Sequence, residues 1–170
     1  MISLEKFTIN DYDRLISWVT SEELLMQFAG PGYIFPLTKN QLEPTINEPN
    51  RICFKVMYGG NAIGHCELYL KEKSVVLARI LIGDEHMRGK GLGKIIVREM
   101  LSYAFDHFSV NIAELNVFMH NYAAIRCYEQ VGFEMDTSIK MERKFKDKVW
   151  PAGNMKITRS SWQNHVRDLT

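Results

Sequence analysis

The sequence predicts a mixed α/β fold, one sheet with helices on both faces. Three observations carry this. Short runs alternating apolar and polar residues, the mark of half-buried strands, recur between stretches whose apolar residues return every three or four positions, the mark of amphipathic helices. An apolar run from Val75 to Ile82 leads through a glycine-rich loop, Arg88 to Lys94, directly into such a helix. A chain of 170 residues, 46% of them apolar, can bury one good core, so a single domain spanning 1–170 is expected.

Taken in order, Ile2 to Phe7 alternates and reads as a strand. Thr8 or Asn10 can cap a helix carrying Tyr12, Leu15, Ile16 and Val19 at helical spacing. Ser21 opens a second short helix to about Phe28, which Gly30-Pro31-Gly32 stops. Pro36, Pro44 and Pro49 bracket a helix of one to two turns between Thr38 and Leu42. Arg51 to Tyr58 and Ala62 to Leu70 form a hairpin around Gly59-Gly60-Asn61, with Gly64 marking a bulge. Ser74 to Ile82 is the next strand. Leu92, Ile95, Ile96, Met100, Leu101 and Phe105 then define a helix to about Phe108. Asn111 to Phe118 alternates again, Tyr122 to Gln130 is helical, and Gly132 ends that helix. Two closing strands, Phe133 to Lys144 and Val149 to Thr158, join near Asp147-Lys148, and the polar end past Trp162 is expected to fray.

Charge and composition exclude several classes. With 21 Lys and Arg against 20 Asp and Glu, the net charge is +1, too little for a phosphate-backbone binder, so no nucleic-acid partner is expected. The start lacks a signal-peptide apolar region and no run reaches the roughly 18 apolar residues that span a bilayer, so a cytoplasmic protein away from membranes is expected. Cys53, Cys66 and Cys127 are odd in number and widely spaced, with no paired spacing for zinc. They read as small buried thiols, and no metal is expected.

The loop Arg88-Gly89-Lys90-Gly91-Leu92-Gly93-Lys94 is suited to holding a phosphate. Three glycines let successive N–H groups converge on an anion, and the helix opening there adds its positive dipole end. The glycines fall at 89, 91 and 93, which fits neither the dinucleotide fingerprint nor the P-loop, whose magnesium-binding hydroxyl would be Ile95 here. What remains is Arg-x-x-Gly-x-Gly between a strand and a helix. Asn121-Tyr-Ala-Ala-Ile-Arg-Cys-Tyr128-Glu-Gln-Val-Gly132-Phe133 follows about thirty residues later. This ordered pair resembles the two signatures of the GCN5-related N-acetyltransferase (GNAT) superfamily, and the long closing hairpin resembles its ribosomal-protein and polyamine branches.

The resemblance implies a twisted, mostly antiparallel sheet with a splayed central strand pair, Val75 to Ile82 and Asn111 to Phe118. It implies an acceptor-pocket part at about 1–50, an acetyl-CoA-binding core at about 51–145 and a closing hairpin at about 133–160. Acetyl-CoA is the implied co-substrate and a primary amine of a small molecule or protein the acceptor. Backbone N–H groups of Gly89 to Lys94 are expected to hold the pyrophosphate, Arg88 and Lys94 to add charge, and Leu81, Ile82 and Gly83 to pair with the pantetheine arm.

Tyr128 lies seven residues after Asn121, two helical turns, so both occupy one face. A phenol can protonate a thiolate leaving group, and Tyr128 is the expected catalytic acid. Asn121 is placed to cap its helix and to hydrogen-bond the cofactor. The base is less direct. Peptide-amine acetylating relatives carry a Glu twelve residues before the Tyr, and here that position is Asn116, which cannot take a proton. Glu67, on the strand Ala62 to Leu70, is the preferred substitute, with Glu114 in reserve. His65 and His120 could relay protons, but a lone His is more often a plain core or surface residue. Phe28, Tyr33 and Phe35, with Asn116, are expected to border the acceptor, the three aromatics reading equally as caps on the core. The closing hairpin and Trp150 offer a surface for a homodimer. Two further readings stand beside the enzyme: a non-catalytic acyl-CoA sensor, and a transferase of another acyl group.

Overall fold

The computed structural model describes residues 1–167. They form two compact units, one of Met1–Tyr69 with Ala78–Leu92 and one of Leu70–Leu77 with the chain from Gly93 onward.

In the first unit, β1 (Ile2–Lys6) pairs antiparallel with β2 (Arg51–Tyr58), and β2 with β3 (Asn61–Leu70). β4 (Ser74–Ile82) follows β3 in the sheet order and runs from one unit into the other. The β2–β3 register passes from Val56↔Gly64 to Met57↔Ala62, so Ile63 is the extra residue of the bulge that Gly64 announced. Gly64 is also a close approach: a Cβ there would lie 2.3 Å from the Leu81 carbonyl oxygen. Beside the bulge, the Ile63 carbonyl accepts the N–H groups of both Gly83 (2.9 Å) and Asp84 (3.1 Å), which fixes the end of β4.

The helices of this unit are α1 (Tyr12–Trp18), α2 (Glu22–Ala29) and α3 (Lys39–Ile46). A 3-10 turn at Ile9–Asp11 precedes α1, and the Thr8 N–H donates to the Asp11 carboxylate at 2.8 Å. Ser21 caps α2, its Oγ accepting from Leu24 N at 3.1 Å. The third helix outruns its expected end at Leu42 and carries Pro44 inside it. Leu42 buries itself in the core, and Gln41 ties the helix to Ile34 and Pro36 backbone atoms at 2.7–3.0 Å, which offsets the hydrogen bond that proline removes. Phe7, Leu15, Leu25, Phe28, Leu42 and Leu81 are among the residues of this unit's core.

In the second unit β4 pairs in parallel with β5 (Ile112–Phe118) over Ser74↔Ile112, Val75↔Ala113 and Val76↔Glu114. β5 pairs antiparallel with β8 (Lys148–Thr158), whose other edge carries β6 (Glu134–Met135) and β7 (Met141–Phe145). The sheet is therefore mixed and mostly antiparallel. α4 (Leu92–His107) buries Leu92, Ile96, Met100, Leu101 and Phe105 of the predicted stripe, and Val97 and Ala104 with them, whereas Ile95 is exposed. α5 (Tyr122–Val131) starts at Asn121 and ends on Gly132 at φ +105°.

Two expectations for the tail are corrected. The strand expected from Phe133 to Lys144 is broken, because the Asp136 carboxylate turns the chain by accepting Ser138 N (3.0 Å) and Ser138 Oγ (2.5 Å). The end past Trp162, expected to fray, continues the helix α6 (Arg159–Arg167) over 163–167, and its last residues, 168–170, lie outside the described ones; Thr158 Oγ1 accepts Ser161 N at 3.1 Å and Trp162 is buried. Arg159 donates to the carbonyls of Phe105 (2.6 Å), Phe108 (2.6 Å) and Val110 (2.8 Å). No helix among the described residues is long and apolar enough to cross a membrane.

Candidate functional site

At the loop, Gly89 and Gly91 take φ of +74° and +75°, which residues with a side chain rarely adopt. A Cβ on either would meet nothing within 4 Å, so the loop opens onto free space. The N–H groups of Gly89, Lys90 and Gly91 donate to no backbone carbonyl among the described residues, and the first N–H groups of α4 lack intrahelical acceptors. A nest of donors at a helix N-terminus fits a pyrophosphate. Lys90 and Lys94 bring charge, with Lys94 Nζ also 3.4 Å from Gln130 Oε1. Arg88, expected to add its charge at the loop, instead folds back: Nε donates to the Ile82 carbonyl at 2.9 Å and Nη2 to that of Gly83 at 3.3 Å. Two carbonyls left over at a strand end match the guanidinium fork better than open solvent does. Leu81 is buried, and Gly83 packs against the Trp18 ring with no room for a Cβ.

The start of α4 lies against α5, since a Cβ on Gly93 would sit 3.5 Å from Cys127 Sγ. Asn121 Oδ1 accepts Ala124 N at 3.2 Å, so Asn121 does cap α5. Tyr128 is half-buried with its ring 6.1 Å from that of Phe133, and its hydroxyl has no hydrogen-bond partner among the described residues. Burial pushes its phenol well above the usual 10. A phenol shifted in that direction stays protonated at neutral pH.

Glu67 stands in a different setting. Only 2% exposed, it takes Arg51 Nη1 on Oε2 at 2.7 Å, His65 Nε2 on Oε1 at 3.0 Å, and Arg79 Nη1 at 3.3 and 3.4 Å. Burial raises its pKa, but the His65 hydrogen bond and the guanidinium charges of Arg79 and Arg51 outweigh that and hold the carboxyl at about 2. A carboxylate so held is a poor acceptor for an amine's proton, which counts against Glu67 as the base. The reserve candidate Glu114 is similarly engaged by Lys71 (2.5 Å) and Ser74 (3.2 Å). Asn116 is exposed on β5 and accepts Asn154 Nδ2 at 3.0 Å. His65 is a core residue, its ring 4.6 Å from Phe7 and 5.9 Å from Phe28, whereas His120 is exposed beside Phe118 and Trp150.

The Glu67 setting makes acid stability testable. Its folded carboxyl lies below the ordinary 4.5, so its contribution is fully present above about pH 4.5 and is lost as pH falls towards about 2. Urea titrations between pH 5 and 2.5 are expected to show wild type losing on the order of 3 kcal/mol more than Glu67→Gln across that window. Parallel losses in both proteins would mean that the buried carboxylate is not what acid attacks.

Of the three aromatics expected at the acceptor, two are core residues. Phe28 packs beside His65, and the Tyr33 ring lies under the Arg79 guanidinium at 4.2 Å with its hydroxyl bonded to Arg79 and Thr45. Only Phe35 is exposed, because it stands on the loop beyond the unit's core stripe. Cys53 and Cys66 are buried thiols, and burial pushes that of Cys53 up to about 12. The residue that sequence reasoning missed is Arg79. An arginine inside an otherwise apolar strand was its signal, since a charge there needs a buried partner.

Residues 16–133 match the acetyltransferase (GNAT) family model. An N-acetyltransferase 9-like protein of Nematostella vectensis is 25% identical over 171 residues, 92% of this chain and 82% of its own. A probable spermine N(1)-acetyltransferase of Bacillus subtilis subsp. natto is 33% identical over 66 residues, 39% of this chain and 43% of its own. Two solved structures share the fold. Spermidine N-acetyltransferase from Vibrio cholerae, in complex with CoA and spermine, has a TM-score of 0.80 at 21% identity, covering 96% of this chain and 98% of that one. An aminoglycoside acetyltransferase in complex with coenzyme A and kanamycin has a TM-score of 0.75 at 21% identity, with the same 96% and 98% coverage. The glycine nest at the head of α4, the capped helix that carries Tyr128 and the family match across both lead to one assignment: the chain belongs to the acetyltransferase (GNAT) family.

Proposed function

We propose that this protein moves the acetyl group of acetyl-CoA directly to a primary amine. The observation that carries the reading is the pair of left-handed glycines, Gly89 and Gly91, at the N-terminus of a helix that lies against α5. The N–H groups of Gly89 to Lys94 bind the pyrophosphate, Lys90 and Lys94 neutralise it, and the main chain of Leu81 to Gly83 runs beside the pantetheine arm. Acetyl-CoA supplies the activated thioester. As the amine nitrogen bonds to the carbonyl carbon, the carbon–sulfur bond breaks, and Tyr128 gives its phenolic proton to the departing sulfur. The phenol then recovers a proton from water. With Glu67 held at about 2 and Asn116 unable to act, the amine loses its proton to solvent rather than to a fixed carboxylate.

The relatives that act on spermine and the neighbours that bind aminoglycosides make small polyamino compounds the first acceptors to test, with N-terminal peptides beside them. Free thiol released from acetyl-CoA, followed against a panel of polyamines, aminoglycosides, amino acids and peptides, is expected to rise with at least one amine. Tight acetyl-CoA binding with no acetylated product across a broad panel would turn the reading towards a sensor. Failure to bind acetyl-CoA would remove the function altogether.

A further inference from the structure

Arg79 has φ of +48° in the middle of β4, a left-handed conformation that residues with a side chain rarely adopt. Its side chain shows what holds the bend. Nη1 lies 2.7 Å from Tyr33 Oη and 3.3 Å from Glu67 Oε2, and the guanidinium covers the Tyr33 ring at 4.2 Å. Gly32 leaves the space: a Cβ there would lie 2.9 Å from Arg79 Nη2. Glu67, in turn, is also held by Arg51 on Oε2 and by His65 on Oε1. A chain of buried polar contacts therefore runs from β2 and β3 to one strained backbone residue.

We propose that Glu67 is a positioning residue, which through Arg79 fixes the bend of β4 on which acetyl-CoA binding depends. The proposal rests on the acetyl-CoA reading above. Two residues beyond the bend comes Leu81, the first of the residues assigned to the pantetheine arm. The carbonyls of Ile82 and Gly83 are then gripped by Arg88, which enters the glycine loop. Relaxing Arg79 to an ordinary extended conformation would re-aim this main chain and shift the entry to the loop. The clamp accounts for a fully partnered carboxylate in a place where a base was expected.

The test compares two replacements of one side chain in the full-length protein. Arg79→Ala removes the clamp and disfavours the bend, whereas Arg79→Gly removes the clamp but accepts positive φ without cost. Titration calorimetry with acetyl-CoA is expected to show a tenfold or greater weakening in Arg79→Ala and recovery to within about threefold of wild type in Arg79→Gly. A purely structural role predicts the reverse order or equal losses, and either result overturns the proposal. If Arg79→Ala does not fold, Glu67→Gln replaces it. That variant is expected to weaken acetyl-CoA at least threefold, with Arg79→Gly added in the same chain restoring it. No restoration overturns the proposal. With an accepted amine in hand, the acidic limb of the kcat/KM profile is expected to survive in Glu67→Gln, and its disappearance would make Glu67 the base instead. Wild type that fails to bind acetyl-CoA overturns the functional reading itself, an outcome distinct from any difference between variants.

Discussion

Tyr128→Phe is expected to lower kcat by about 30-fold or more while acetyl-CoA affinity stays within about threefold of wild type. The size follows from what a positioned general acid contributes, typically 10²–10⁴-fold, reduced where water can replace it. The split follows from the packing. The helix that carries Tyr128 is capped by Asn121 and closed by Gly132, and the Phe133 N–H bonds to the Tyr128 carbonyl at 3.0 Å. Phenylalanine keeps the ring against Phe133 and loses only the hydroxyl, so folding and cofactor binding are spared. The phenol's direction of shift adds a second readout. Because burial raises it, the protonated acid persists above pH 10, and wild-type kcat is expected to hold on the alkaline side where an exposed phenol would already ionise. Steady-state kinetics with thiol detection over pH 6 to 10.5 checks both. Equal kcat in the two proteins would leave the leaving sulfur to solvent.

Gly91→Val is expected to cost acetyl-CoA affinity about 100-fold with a melting temperature close to that of wild type. A β-branched residue at φ +75° is strained by its own backbone, although its Cβ would touch nothing within 4 Å. The loop therefore leaves its left-handed conformation rather than disturbing a neighbour, and donors that converged on one point now diverge. The loss belongs to binding and not to folding, which calorimetric titration and thermal denaturation separate. Unchanged affinity would take the nest out of the cofactor site.

What the sequence disclosed is divided along a physical line. Period and punctuation were legible: the stripe of α4, the hairpin at Gly59-Gly60, the bulge at Gly64 and the glycine end of α5 all follow from local chemistry. The two motifs marked the glycine loop before α4 and the Asn121–Tyr128 helix for the same reason, since each is a short run whose spacing carries its geometry. The break at Asp136 and the cap at Thr158 were also local, but Asp-Thr-Ser and Thr-x-x-Ser are common polar runs whose side chains choose between solvent and backbone only once a sheet is beside them. The Glu67 cluster was out of reach for another reason. Arg51, His65, Glu67 and Arg79 meet through strand register and one positive φ, so a carboxylate that reads as a base on its own strand proves to be saturated by partners from two others. Phe28 and Tyr33 were open for a similar reason: aromatics outside a clear stripe fit a pocket border and a core equally, and only the packing of three short helices puts them in a core.

The grip of Arg159 on the carbonyls of Phe105, Phe108 and Val110 bears on where this protein can be cut. Its motifs end at Phe133 and its family match with them, yet the residue that finishes the longest helix arrives only after the last strand. A fragment trimmed to the recognisable residues 16–133 would leave those oxygens without a donor and β5 without its antiparallel neighbour. The boundary of the sequence signature and the boundary of the self-sufficient folding piece are thus different places on the chain, and the second lies beyond Arg159.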